Sequence, residues 1–503
     1  MSDRLIYLFS GDALLRHPRY KGKYMPRGSF YRFGRNHGPA ARCFLGPIIA
    51  ALAFAGLLAA ESQQAAGSQH GNERRTYQVA KVISVGRAFS GLPVGFHLHT
   101  HGHRQFVAYY NADRQMVVAS RKLGEDHWNE VTLPETFPWD SHNDITMAID
   151  DKGIIHLSGN LHVDPLNYYR TEKPLDIESF KQVNRMVGKD ENRATYPRFW
   201  RDAEGRLLFM YRDGASGNGR RLINIYDSDE QQWHRLLDQP LLDGQGKMNA
   251  YPSGPHRGPD GVFHLAWMWR NTPDAVTNHD LSYMRSRDLK HWETGAGQAI
   301  ELPVTPTNQA VVVDPVPSRA GLLNSSLDLG FDHEGRPVLA YHKYDADGNS
   351  QIYNARLEGN QWQIYQTSDY DFRWEFGGPG ALPGPTMRAK GVRMLDDGRL
   401  VQSYRTPQGG GTWLLDPETL KPKGEVTIGH DVPRNLQRPR SDFPGMRVRW
   451  HGDAGEAPNP RVVYRLRHET LGRPPGPDRA RRHRSKLPEA APLKLYKFVK
   501  PAD

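Results

Sequence analysis

The chain repeats one unit: a polar turn ending in glycine, a run of β-branched or aromatic residues, and a Trp or Phe 26 to 31 residues after that glycine. The turn and run read H-G-H-R-Q-F-V-A-Y-Y at Gly102, D-D-K-G-I-I-H-L at Gly153, D-A-E-G-R-L-L-F-M-Y at Gly205, G-P-D-G-V-F-H-L-A-W at Gly261, D-H-E-G-R-P-V-L-A-Y at Gly335 and L-D-D-G-R-L-V-Q-S-Y at Gly398. The aromatic partners are Trp128, Phe180, Trp233, Trp292 and Trp362, with Trp413 standing closer to its turn. A polar turn closed by Gly supplies a positive backbone dihedral, and the run that follows has the composition of a strand packing a pleated face. Each unit of roughly 50 to 75 residues therefore predicts one small antiparallel sheet.

A sheet of that size cannot bury its own faces and must stack on its neighbours, so this period predicts an all-β, seven-bladed β-propeller of four-stranded antiparallel blades. Six marked units lie between about 91 and 424, and a seventh blade is expected from T-Y-Q-V-A-K-V-I-S-V at 76–85 joined by R-V-V-Y-R-L-R and L-K-L-Y-K-F-V near the C-terminus. Closing the ring with strands from both chain ends protects edges that an open array exposes. A two-sheet sandwich with irregular hairpins is the competing architecture. No linker interrupts 90–420, so the expected organisation is a leader over 1–60, a flexible linker over 61–75 and one propeller domain over 76–500, with a disordered basic loop near 470–490.

Charge changes this picture little. The chain has 503 residues and a formal net charge of +10, with much of the excess in residues 1–42 and in G-R-P-P-G-P-D-R-A-R-R-H-R-S-K at 472–486. No recognition helix or aromatic RNA-binding signature accompanies these runs, so they read as leader and solvated loop, with no nucleic-acid partner. Phe44 to Ala60 is apolar, follows Arg42 and ends in small residues, the order of a secretory signal peptide. Translation from Met25 would give a leader of more ordinary length, and an uncleaved membrane anchor is the alternative. The expectation is a secreted or periplasmic protein without stable membrane association after cleavage. The single cysteine, Cys43, precedes the apolar core, so a mature chain lacks disulfides and thiol catalysis.

Candidate chemistry concentrates in the first two units. His97, His99, His101 and His103 alternate along one segment, an arrangement that suits either a metal cluster or a polar pocket. His142 precedes the strand-like I-T-M-A-I, and His162 lies just past I-I-H-L-S, so both stand at strand ends. Tyr196 in T-Y-P and Arg212 in Y-R-D-G join them. Two imidazoles, a phenol and a guanidinium suit elimination from a uronic acid, which needs a neutraliser for the carboxylate, a base for the C5 proton and an acid for the leaving O4. A cationic neighbour is expected to lower the phenol's pKa. Glycoside hydrolases usually need paired carboxylates, and Asp140, Asp144, Asp164 and Asp213 keep that option open.

The ordered set G-F-H-L-H-T-H-G-H-R-Q-F-V-A-Y-Y, W-D-S-H-N, S-G-N-L-H, T-Y-P-R-F, Y-R-D-G-A-S-G-N-G, N-A-Y-P, G-P-D-G-V-F-H-L-A-W-M-W-R, N-H-D-L-S-Y and Y-H-K-Y-D resembles the BNR-4 repeat family, related to seven-bladed propeller polysaccharide lyases that include ulvan lyases and rhamnose-glucuronate lyases. In those ulvan lyases the site has two histidines about 20 residues apart and a tyrosine followed 16 residues later by an arginine; His142 and His162 stand 20 apart here, and Tyr196 and Arg212 stand 16 apart. The resemblance implies that His142 and Tyr196 form the acid/base pair and that Arg212 and His162 hold and neutralise the uronate carboxylate. It also implies Tyr251, Arg270, His342 and Lys343 as substrate contacts. No cofactor is required for this chemistry, although a structural metal ion is allowed, with Asn278, His279 and Asp280 as a candidate cation site or turn-stabilising cluster. S-R-D-L-K-H-W at Ser286 to Trp292 looks like a degenerate structural Asp-box turn. The expected partner is an acidic, uronate-containing polysaccharide or oligosaccharide. A rhamnosidase-like hydrolase and a non-catalytic carbohydrate-binding propeller are the alternatives.

Overall fold

The computed structural model describes residues 76–501 except 184, 381, 383–385, 430 and 473–485. The expected leader at 1–60, the linker at 61–75 and the centre of the expected basic loop at 473–485 lie outside the described residues. Within them the chain is all-β: its helical pieces are single 3-10 turns, and no helix is long and apolar enough to cross a membrane.

The punctuation read from the sequence fixes the turns. Gly102, Gly153, Gly205, Gly261, Gly335 and Gly398 all have φ between 54° and 84°, where a side chain would be strained. Preceding aspartates lock several of these turns: Asp150, Asp202 and Asp332 each accept backbone N–H groups two and four residues on.

The described strands form seven antiparallel sheets. The first comprises His97–His101, Arg104–Tyr110, Gln115–Lys122 and Asn129–Thr136. The second comprises Thr146–Ile149, Ile155–Ser158, Tyr168–Thr171 and Phe180–Gln182. The third centres on Ala194–Arg201, Leu207–Ala215 and Asn218–Asp227, the fourth on Asn249–Arg257, Phe263–Arg270 and Asn278–Ser286, the fifth on Pro337–Tyr344 and Ser350–Glu358, and the sixth on Leu400–Thr406 and Gly409–Leu415. In the seventh, Gln78–Ala88 pairs with Ala491–Val499, which pairs with Val462–Leu471 and then Met446–Gly452. Both ends of the described chain thus share one sheet. Its strand Met446–Gly452 runs on to a parallel bridge between Leu98 and Asp453, and Thr100 donates its N–H to Asp453 at 2.8 Å.

The uniform four-strand expectation needs one correction. The third and fourth sheets have six strands and the sixth has five, because short segments from connecting loops add to them. One such segment, His162–Asp164, lies in sequence between the strands Ile155–Ser158 and Tyr168–Thr171 of the second sheet yet pairs with Ala194–Arg201 of the third. That crossing matters for the site.

Apolar side chains fill the spaces between consecutive sheets. One cluster joins Ala148 and Tyr168 of the second sheet to Phe199, Phe209 and Trp233 of the third. Others join Leu208 and Met210 to Leu265 and Trp267, Met268 and Tyr283 to Leu339 and Tyr341, and Val338 and Ile352 to Leu400 and Trp413. The first five sheets are therefore covered on both faces, which explains why strands such as Arg104–Tyr110 and Phe263–Arg270 are apolar almost throughout instead of alternating.

Candidate functional site

His142 stands in the turn that enters Thr146–Ile149, and His162 opens the crossing segment His162–Asp164. Their rings stack at 4.3 Å between centroids, 29° from parallel. Asp140 lies beside them, with Oδ1 at 2.5 Å from His142 Nδ1 and Oδ2 at 2.5 Å from His162 Nδ1. Burial by itself would raise the Asp140 carboxyl, but the hydrogen bonds and charge of the two imidazoles hold it well below the ordinary carboxylate range.

Tyr196 meets this pair because of an irregularity in the third sheet. The ladder between Ala194–Arg201 and Leu207–Ala215 shifts register between Thr195 and Arg198, and Tyr196 sits in the shift with φ of 57°. Across the adjoining ladder, Val163 has φ of 67° and donates its N–H to Thr195 Oγ1 at 2.8 Å. Left-handed backbone at a tyrosine and at a β-branched valine costs roughly 1–3 kcal/mol per residue and persists where surrounding structure imposes it. Together these distortions bring the Tyr196 ring to 5.9 Å from His142 and 4.9 Å from the Arg212 guanidinium carbon.

His142, His162, Tyr196 and Arg212 all line one cavity of about 870 Å³, and Tyr251 and Arg270 line it too. Arg198, Arg221 and Arg388 add to its cationic character, while Asp144 is the carboxylate residue among the described lining. Asp144 accepts a hydrogen bond from the Gly95 N–H. Arg212 is 1% exposed; its Nε donates to Gly214 O at 3.1 Å, but Nη1 and Nη2 make no hydrogen bond among the described residues. Burial and then the neighbouring Arg212 push Arg221 down to about 9. Such a wall is suited to an anion that reaches buried guanidinium groups.

The phenols depart from the sequence expectation. Burial raises Tyr196 above its ordinary value and outweighs the lowering by Arg212, so the expected depression does not occur there. It occurs at Tyr251, where burial is overcome by Arg270 and Arg212 and by a 2.6 Å hydrogen bond with Ser216. The Arg270 guanidinium lies 4.3 Å from the Tyr251 ring centroid.

His342 and Lys343 stand outside this cavity's lining, and the strand Pro337–Tyr344 explains why. His342 is fully buried, donates from Nδ1 to Gly321 O at 2.6 Å and is pushed down to about 4 by burial. Lys343 Nζ is engaged at 2.6 Å by Asp314 and lies over the Tyr353 ring. His97 and His99 stack side by side with ring centroids 6.3 Å apart. Among the described residues, three metal-ligand atoms come within 4.8 Å of one another at Asp140, His142 and His162. Asn278, His279 and Asp280 engage in local hydrogen bonds to Ala275, Arg270 and Asn271. The turn at Ser286–Trp292 is held by Asp288, with Leu289 at φ of 64° where a glycine is the ordinary choice.

Sequence reasoning named Asp140 only as a nearby carboxylate and passed over Arg198, Arg221 and Arg388. The W-D-S-H spacing carried a signal for Asp140, because a carboxylate two residues before a histidine in a turn can accept from both its backbone and its ring. The arginines carried none, since each lies in an ordinary strand pattern.

A model of the BNR repeat-containing family matches residues 104–370. An ulvan lyase (short isoform) from Alteromonas sp. (strain LOR) is 24% identical over 196 residues, covering 37% of this chain and 32% of that protein, so the match spans about a third of the relative's length. The crystal structure of polysaccharide lyase Uly1 superposes with a TM-score of 0.56 at 14% identity, over 84% of this chain and 100% of that one. A PL25 ulvan lyase bound to -[GlcA(1-4)Rha3S]- superposes with a TM-score of 0.53 at 13% identity, over 84% of this chain and 96% of its own.

Proposed function

The chain belongs to the BNR repeat-containing family, and we propose that within it this protein is an exported polysaccharide lyase that cleaves a uronate-containing polysaccharide, of ulvan or rhamnose-glucuronate type, by β-elimination. Its seven described sheets read as the blades of a propeller, with the two ends of the described chain sharing the closing blade. Export rests on the leader pattern of residues 44–60.

The observation that carries this reading is Arg212: a buried guanidinium lining an 870 Å³ cavity, with Nη1 and Nη2 unengaged by any described residue and a phenol and two imidazoles beside it. In the reaction Arg212 and His162 grip the uronate carboxylate and draw charge from C5. His142 takes the C5 proton; the electron pair forms the C4=C5 double bond, and the C4–O4 bond breaks. Tyr196, kept protonated by burial, gives its proton to O4. Tyr251 and Arg270 extend the cationic wall along the sugar chain. Hydrolysis is less well served, because Asp140 is occupied by two histidines and Asp213 by Arg220, and the described residues lining the cavity include Asp144 but no carboxylate pair.

A panel of uronate-bearing glycans, followed in the ultraviolet for an unsaturated uronate product, tests the proposal. Appearance of that chromophore supports it. Reducing-end release without the chromophore points to a hydrolase, and binding without turnover to a carbohydrate-binding propeller.

A further inference from the structure

Asp140 spends its two oxygens on two different imidazoles: Oδ1 meets His142 Nδ1 and Oδ2 meets His162 Nδ1, each at 2.5 Å. Oδ1 also accepts the His142 N–H at 2.9 Å, and the Asp140 backbone carbonyl accepts from Asn143 Nδ2 at 2.9 Å, so the turn that carries the carboxylate is itself pinned. A carboxylate only accepts hydrogen bonds, so both Nδ1 atoms must carry the hydrogen. In a neutral imidazole the lone pair is then on Nε2, at the ring edge away from the carboxylate. Both rings line the cavity, whereas Asp140 does not.

We propose that Asp140 is a positioning residue that locks His142 and His162 in the same Nδ1–H tautomer and stacks their rings, so that two Nε2 atoms are presented together to the substrate. Nε2 of His142 receives the C5 proton, and the imidazolium so formed keeps its Nδ1–H bond to the Asp140 carboxylate. His162 keeps the same Nδ1–H bond and turns Nε2 to the uronate group, where it takes up a proton with the substrate and donates a hydrogen bond to the carboxylate. The catalytic part of this inference rests on the lyase reading above; the tautomer assignment does not.

Asp140→Asn provides the test, because an amide offers one acceptor and one donor and at most one ring can then keep its Nδ1–H bond. Nitrogen-15 NMR of histidine-labelled full chain should show two Nδ1–H tautomers at His142 and His162 in the wild type and lose at least one in D140N. On a uronate glycan, kcat should fall roughly 100- to 10,000-fold, as when a carboxylate-to-amide change puts a catalytic imidazole in the wrong tautomer, with KM changing less than about 3-fold. Asp140→Glu, which keeps two acceptors, should recover part of kcat. Unchanged tautomers or unchanged kcat in D140N would overturn the proposal. So would a stoichiometric divalent metal in the purified wild type that D140N and chelation both remove together with activity, since the same three residues then serve as ligands. If both wild-type tautomers appear but no elimination product forms on any uronate glycan, the lyase reading fails and the positioning assignment stands.

Discussion

Replacing Arg212 by methionine removes the guanidinium while keeping most of the stem volume, and it should separate binding chemistry from folding. A guanidinium that grips a carboxylate through two charge-assisted hydrogen bonds contributes about 1.5–3 kcal/mol for each, hence about 3–6 kcal/mol in the transition state. At about 1.4 kcal/mol per tenfold, kcat/KM for a uronate glycan should fall by roughly 100- to 10,000-fold. Stability should respond differently. The substitution loses the hydrogen bond from Nε to Gly214 O and the cation–π contact with Tyr196 at 4.9 Å, together about 2–5 kcal/mol. It also relieves a guanidinium that is 1% exposed and has no carboxylate partner among the described residues, and desolvating such a charge costs several kcal/mol. The two contributions nearly cancel, so the unfolding free energy of R212M should lie within about 2 kcal/mol of wild type. Ultraviolet initial rates and urea denaturation on the same preparations measure both quantities. A kcat/KM drop smaller than tenfold, or a variant that fails to fold, would refute the reasoning.

Tyr196→Phe should lower kcat by about 100- to 10,000-fold with little change in KM, because it removes the proton donated to O4; a purely KM effect counts against that role. Acid should weaken the fold between pH 6.5 and about 4 through His342, which binds a proton in the unfolded chain near 6.5 but in the native state only near 4. The contribution is complete above pH 6.5 and about 2 kcal/mol of it is lost by pH 5, so His342→Gln should flatten the stability profile over that window, as urea midpoints across pH will report. Val163→Gly should leave stability unchanged or raise it by about 1 kcal/mol through relief of the positive φ, while lowering kcat by loosening His162; a clear loss of stability would contradict the strain argument.

Much of the scaffold was legible because it is written in local chemistry. The six turn glycines needed positive φ and have it, and Trp128, Trp233 and Trp292 are buried in or beside the strands that the spacing assigned to them. The pairing of residues 78–88 with 491–499 could be anticipated because unpaired edges are unfavourable. The crossing of His162–Asp164 into the third sheet was not legible, since nothing in three residues states which edge they will join. The phenol expectation failed for a related reason. Sequence spacing announced an arginine near Tyr196 but not the depth at which the ring is buried, and that depth decided the sign. His342 and Lys343 matched a motif, yet the strand that carries them turns both toward internal partners.

The backbone irregularities and the electrostatics of the cavity have a common origin. Had Ala194–Arg201 paired in regular register, side chains would alternate strictly across the strand, and Tyr196 would be fixed to one face with Thr195 and Pro197 on the other. The register shift and the left-handed residues at 163 and 196 break that alternation where the crossing segment joins the strand. Tyr196 is thereby carried between two unlike walls: the stacked histidines with their shared carboxylate on one side, and the arginines of the third and fourth sheets on the other. An anionic ring entering the cavity meets fixed positive charge at one edge and proton-transfer groups at the other without further rearrangement of the scaffold, which is the preorganisation that elimination next to a carboxylate demands. The strain at these two residues and the charge at Arg212, which no described carboxylate meets, are both costs to the unliganded fold, and under the proposed lyase reading one ligand, a uronate, accounts for both.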